Sequence, residues 1–98
     1  MKKYFFYYGT EENAYEIDKL TYDNADQAIA EVEDVLEGSD EEINKDEFKK
    51  EVEEDGYAFV ETENAHGYHI VVGVATQGYC KKISSLLHDY RREFIACF

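Results

Sequence analysis

Proline and tryptophan are absent from the 98-residue chain, and cysteine occurs only twice. Because proline is absent, no helix or strand is forced to break from within. Cys80 and Cys97 fall in one predicted helix, where about 25 Å of helical rise would separate them. A disulfide requires Cα atoms within about 7 Å of each other, so the predicted helix argues against an intramolecular bridge.

Basic residues are scarce: the chain has 10 lysines and arginines against 23 aspartates and glutamates, for a formal net charge of −13. Such a chain is not attracted to nucleic acid or to an anionic membrane. No apolar stretch approaches the roughly 18 residues that span a bilayer. The start at Lys2 and Lys3 leads into aromatic sequence without a small-residue cleavage site. We therefore expect a cytoplasmic protein.

The composition nevertheless provides the material for a core. Hydrophobic residues make up 44% of the chain and aromatic residues 15%, whereas disordered chains are poor in both. About 100 residues is the length of one small domain. The sequence therefore predicts a single folded domain over residues 1–98.

Alternating apolar and polar residues predict four strands arranged as two hairpins. The first hairpin joins Lys3–Tyr8 to a strand between Ala14 and Thr21. The second joins the segment from Tyr57 to Thr62 to the segment from Tyr68 to Val74, through a turn at residues 64–67.

Three segments have the apolar spacing of helices. They are residues 25–36 before Gly38, Lys45–Asp55 before Gly56, and Tyr79–Phe98. The second carries only Phe48 and Val52 as apolar residues within its bounds, so most of its surface is expected to face water. The element order is ββααββα, and the short connections favour antiparallel pairing. We predict an α+β two-layer sandwich, with a four-stranded antiparallel sheet from two hairpins and the C-terminal helix packed on it.

The negative charge is concentrated in the middle of the chain. Residues 11–63 carry 21 carboxylates and four lysines, a net charge of −17. As one helix of about 24 Å, residues 40–55 would carry one net negative charge per roughly 4 Å, close to the about 3.4 Å of a DNA strand. The nine carboxylates predicted to contact a partner are Asp40, Glu41, Glu42, Asp46, Glu47, Glu51, Glu53, Glu54 and Asp55.

Two constellations suggest chemistry, and both are weak. A nucleophilic Cys80 at a helix start, with His69 as base and Gln77 as oxyanion donor, lacks a residue to orient the imidazole. His66, His69 and Cys80 could supply three zinc ligands, but the sequence has no paired-cysteine knuckle. It also has no phosphate-binding glycine loop. We therefore predict no catalytic, metal or cofactor-binding residues and no enzymatic activity.

In size and charge, although in no motif, the chain resembles the small acidic phage proteins that disarm bacterial defences, such as anti-CRISPR and anti-restriction proteins. The resemblance implies an inhibitor that occupies the basic groove of a nucleic-acid-handling enzyme in a host cytoplasm. Two alternatives stay open. One is an immunity protein or antitoxin that neutralises a basic toxin, and the other is a housekeeping interaction domain whose acidic face is merely solvated.

Overall fold

The structure is a computed structural model that describes residues 2–97. These residues form four strands, three α-helices and one 3-10 turn at Glu11–Asn13. In chain order the elements are β1 (Tyr4–Thr10), β2 (Asp18–Tyr22), α1 (Ala25–Leu36), α2 (Lys45–Asp55), β3 (Tyr57–Glu63), β4 (His69–Thr76) and α3 (Cys80–Ala96). The order ββααββα matches the prediction.

The four strands form one antiparallel sheet in the order β2-β1-β4-β3. Each predicted hairpin is present, and the central pair β1 and β4 joins them, with Tyr4 opposite Thr76 and Thr10 opposite Ile70. Since β3 and β2 lie at the ends of this order, each has one edge without a neighbouring strand among the described residues.

Helices cover both faces of the sheet, so the domain has three layers instead of the two expected. Alternate residues of β4 point to opposite faces. Val72 and Val74 pack with α1 and α2, whereas Val71 and Ala75 pack with α3. Every residue of β4 after His69 is buried, and a strand that is apolar on both sides requires cover on both sides. The predicted packing of α3 on the sheet is confirmed.

The helical apolar patterns are largely confirmed. The stripe of α1 is buried, as are Phe48 and Val52 of α2. In α3, Ile83 and Leu87 are fully buried, whereas Ile95 and Cys97 near its end are exposed. The fully buried residues of α3 therefore lie in its first half, and Tyr90 and Phe94 of its second half are partly buried against the same core; Phe98 lies outside the described residues.

The prediction of a strand from Ala14 was wrong. The chain makes the 3-10 turn at Glu11–Asn13, and Ala14 and Tyr15 then adopt left-handed backbone angles with φ of 55° and 58°. This turn carries the Tyr15 side chain into the core beneath α3, where it is 5% exposed. Strand β2 begins only at Asp18. Burial of an aromatic ring has overridden the local alternation of apolar and polar residues.

Candidate functional site: an acidic helical face

The nine predicted contact residues all lie on one side of the molecule, and all nine are exposed. Six are on α2, and Asp40, Glu41 and Glu42 are in the linker that leads from α1 to α2. We call residues 25–55 the acidic layer; it contains 14 carboxylates and three lysines, a net charge of −11. The opposite layer, α3, contains four basic and two acidic residues.

The ends of α2 are set by its caps. The side-chain oxygen of Asn44 accepts hydrogen bonds from the backbone N–H groups of Asp46 and Glu47, each at 3.1 Å. Gly56 ends the helix with a φ of 89°, which a residue without Cβ adopts at little cost. Residues 40–43 are not helical, so the predicted bounds Lys45–Asp55 are confirmed, and the charge spacing calculated for one helix over residues 40–55 does not apply. At 1.5 Å per residue, α2 is about 16 Å long.

Two ion pairs join the acidic helices to each other. Nζ of Lys45 lies 3.4 Å from a carboxylate oxygen of Glu33, and Nζ of Lys49 lies 3.3 Å from one of Asp26. The partners' order along α2 is the reverse of that along α1, so the helices run antiparallel. The hydrogen bond to Asp26 is the largest cause of a raised pKa of Lys49, to which Glu53 also contributes.

These pairs leave the other side of α2 acidic. Glu47, Glu51 and Glu54 follow the i, i+4, i+7 spacing of one helix face, on the side of α2 turned away from Lys45 and Lys49. We call them the outer carboxylate row. They line an open depression of about 290 Å³ together with Ile43, Asn44, Phe48 and Lys50. Within residues 2–97, no side chain of the row forms an ion pair within 4.0 Å.

A second depression, of about 510 Å³, lies where α1 meets the linker. Its acidic lining consists of Glu33, Asp34, Glu37, Glu41 and Glu42, and its apolar lining includes Leu36 and Ile43. Sequence reasoning missed Glu33, Asp34 and Glu37 at this site, although none of them belongs to the apolar stripe of α1. The acidic face is therefore wider than the predicted set.

The histidine and cysteine constellations are not assembled. Nδ1 of His69 lies 2.8 Å from the Tyr15 hydroxyl, and Nε2 lies 3.5 Å from a Glu61 carboxylate oxygen. His69 begins β4, whereas Cys80 lies beyond the end of this strand, with Sγ 3.8 Å from the Thr76 carbonyl oxygen. No group of three or more potential metal ligands gathers within residues 2–97.

His69 belongs instead to a cluster of Tyr15, Glu61, His69 and Tyr90 that links the sheet to α3. The rings of Tyr15 and Tyr90 stack with centroids 5.2 Å apart, and the Tyr90 hydroxyl donates to the Glu61 carboxylate. That hydrogen bond is the main cause that raises the pKa of Tyr90 to about 12. Burial is the main cause that raises the pKa of Tyr15. Raised pKa values favour the protonated form of both phenols, and the contacts of the cluster link the sheet to α3.

Comparisons with protein-family models, curated proteins and solved structures give no match. Within residues 2–97, no helix has the length and apolar character needed to cross a membrane.

Proposed function

We propose that this protein is a non-enzymatic inhibitor whose acidic layer occupies the basic groove of a nucleic-acid-handling enzyme in place of phosphates. The observation that carries the proposal is that all nine predicted carboxylates are exposed, while two of the three lysines of the layer lie on the side of α2 next to α1 and pair with α1 carboxylates. Phe48 and Val52 are buried beneath α2, so the helix that carries these carboxylates is already folded and only their side chains are ordered on binding.

The density of charge supports mimicry of a phosphate backbone. α2 carries six exposed carboxylates and three lysines, a net charge of −3, or one negative charge per about 5.5 Å of helix, which is of the same order as a DNA strand. A DNA strand carries one phosphate per about 3.4 Å. A groove that neutralises phosphates with lysine and arginine can neutralise such a row in the same way. The carboxylates of α2 repel one another, and the ion pairs of Lys45 with Glu33 and of Lys49 with Asp26 offset this repulsion only partly.

The class of partner follows from this chemistry. Enzymes that bind nucleic acid display positive grooves, and a phage protein of the anti-CRISPR or anti-restriction type acts on such enzymes in the host cytoplasm. A basic toxin nuclease would fit the same face, in which case the protein is an immunity protein or antitoxin. Both versions require direct competition with nucleic acid.

The experiment is a competition assay on purified CRISPR effector nucleases, restriction enzymes and toxin nucleases. Each enzyme is incubated with fluorescent nucleic acid and increasing amounts of this protein, and displacement is followed by anisotropy. The class of enzyme whose nucleic acid is displaced distinguishes the anti-defence version from the immunity version. Failure to displace nucleic acid from any of these enzymes would contradict the proposal.

A matched pair of variants locates the effect. The test variant carries Glu47→Gln, Glu51→Gln and Glu54→Gln, which retain shape and remove three charges from the outer carboxylate row. The control carries Glu12→Gln, Glu16→Gln and Glu93→Gln, three exposed positions outside the acidic layer. Displacement should weaken by at least about tenfold in the test variant and change little in the control. Equal weakening in both would indicate an effect of net charge alone.

A further inference from the structure

The open edge of β3 is a second surface with a defined chemistry, separate from the acidic layer. The hydrogen bonds from Asn64 N–H to the Tyr68 carbonyl and from Thr76 N–H to the Gly56 carbonyl fix the register of β3 and β4. Because hydrogen-bonded residues alternate along an antiparallel strand, the even-numbered residues of β3 bond to β4. The backbone N–H and C=O groups of Tyr57, Phe59, Glu61 and Glu63 therefore point outward from the sheet.

The side chains at these four positions share one face, the face that carries α3. Tyr57 lies opposite Ala75 and Glu61 lies opposite Val71, both of which pack beneath α3. The rings of Tyr57 and Phe59 stack with an interplanar angle of 9°, and Phe59 is 37% exposed. Glu61 and Glu63 follow at the other end of the strand and are also exposed. Oε1 of Glu61 already accepts from the Tyr90 hydroxyl and lies 3.5 Å from Nε2 of His69, so a partner would reach this carboxylate through Oε2. The edge is thus aromatic in its first half and acidic in its second.

The two edges of the sheet differ in how they are protected. β2 has only five residues and includes Lys19. The Lys19 ammonium lies 4.8 Å from the centroid of the Phe5 ring on β1, so this edge strand carries a positive charge. β3 has seven residues and contains neither lysine nor proline. Short strands, prolines and charged side chains, lysine above all, block pairing at an edge; the charged residues of β3 are Glu61 and Glu63, which oppose an acidic strand and not a basic one. By these criteria β3 is the available edge.

We propose that the β3 edge binds an extended segment of a partner protein by strand addition, with apolar side chains opposite Tyr57 and Phe59 and basic side chains opposite Glu61 and Glu63. The net charge selects against a second copy of this chain, because pairing two copies would bring two net charges of −13 together. A basic extended segment gains both the backbone ladder and the charge pairs.

The test uses isotope-labelled full-length protein and a capped heptapeptide, Lys-Thr-Lys-Thr-Val-Thr-Val, which places lysines opposite Glu63 and Glu61 in antiparallel alignment. At about 5 mM peptide, where even millimolar binding is well populated, we expect the amides of residues 57, 59, 61 and 63 to shift and to gain protection from exchange. A charge-reversed peptide with glutamates in place of the lysines should bind about tenfold more weakly.

Two variants separate the backbone from the aromatic ring. Phe59→Thr removes the ring and keeps the outward N–H, whereas Phe59→Pro removes both at a position that does not bond to β4, where an edge strand tolerates proline. We expect weaker binding for Phe59→Thr and none for Phe59→Pro, while Leu20→Thr on β2 leaves binding unchanged. Should Phe59→Pro fail to fold, a peptide N-methylated at alternate residues tests the same backbone bonds on unaltered protein and should not bind.

Three results would overturn the proposal. These are unperturbed amides at residues 57, 59, 61 and 63, equal binding of the charge-reversed peptide, and concentration-dependent dimerisation through β3 without peptide. The last result would show that the edge pairs with a second copy. Because the acidic layer is not involved, the outer-row variant should bind the peptide like the unaltered protein, so either proposal can fail without the other.

Discussion

The two helical layers face the same sheet but are attached to it in different ways. The acidic layer places carboxylates along its whole outer surface, and its helices are joined by two exposed ion pairs. The α3 layer has a small positive balance of charge and is fastened by Ile83, Leu87 and the cluster around His69. Exposed ion pairs contribute little to stability, so the acidic layer depends on its apolar side while its outer side is free for another role.

The largest effect is expected from breaking the α3 attachment. A Cβ built on Gly9 would lie 2.5 Å from Cδ2 of Leu87, so this leucine fills the space above the glycine. Leu87→Ala should lower the free energy of unfolding by about 2–5 kcal/mol, because it empties a fully buried site. Urea unfolding measures the loss.

A double variant sharpens this prediction. Gly9→Ala alone should destabilise the protein, since the new methyl group meets Leu87. Combined with Leu87→Ala, the same methyl group has room and fills part of the cavity, so the double variant should be more stable than the sum of the single changes predicts. Strict additivity would show that the two residues are not in contact.

Sequence patterns were sufficient where one apolar period governs an element. The stripe of α1, the bounds of α2 and both hairpins followed from spacing and from the residues Asn44 and Gly56. The sequence did not predict helices on both faces of the sheet, although Val71 and Ala75 on the second face are apolar. The alternation of side chains along a strand shows which residues share a face, but it does not show which element covers that face. The turn that buries Tyr15 depends on contacts with Tyr90 and Phe94, about 75 residues away in the chain.

At the candidate site, too, local patterns predicted some features, and others depend on contacts between elements. Charge density located the nine exposed carboxylates, since a run of acidic residues with few apolar neighbours faces water. The pairing of Lys45 with Glu33 and of Lys49 with Asp26 depends on how α1 packs against α2, which no local pattern encodes. It is this packing that separates the outer carboxylate row from the inward-facing side of α2.

The next effect in size tests the repulsion within the acidic layer. Glu47 and Glu51 are like charges at i and i+4, an arrangement that destabilises a helix. The outer-row variant with three Glu→Gln changes should therefore raise Tm by about 2–5 °C in low salt. About 0.3 M salt should raise Tm of the unaltered protein and reduce this difference. A lower Tm for the variant would show that the row stabilises the fold.

The α3 layer should respond to alkaline pH instead. The pKa of Tyr90 is raised to about 12 from an ordinary value of 10.0. Its contribution to stability is fully present below pH 10 and is lost as the pH rises through about 12, because the unfolded state releases this proton first. Tyr90→Phe should therefore flatten the fall in stability between pH 10 and pH 12 by about 1 kcal/mol, a value reduced for screening by solvent. If the urea midpoints of Tyr90→Phe and of the unaltered protein fell equally between pH 10 and pH 12, the loss of stability could not be assigned to Tyr90.

The smallest effect is expected at the link between α1 and α2. Lys49→Gln removes the exposed pair with Asp26, and the change in urea midpoint should be slight and should vanish in about 0.5 M salt. A large, salt-independent loss would show that the acidic layer is held by this pair and not by Phe48 and Val52.

The central claim is that the acidic layer binds by charge to a surface built for phosphates. The most direct measurement is the association rate with an enzyme identified in the competition assay, recorded from about 50 to 200 mM salt, where phosphate-type contacts lose orders of magnitude in affinity. We predict that the rate falls steeply with salt for the unaltered protein and for the control triple variant, and that the outer-row variant associates slowly throughout. Equal, salt-independent rates for all three proteins would contradict the account.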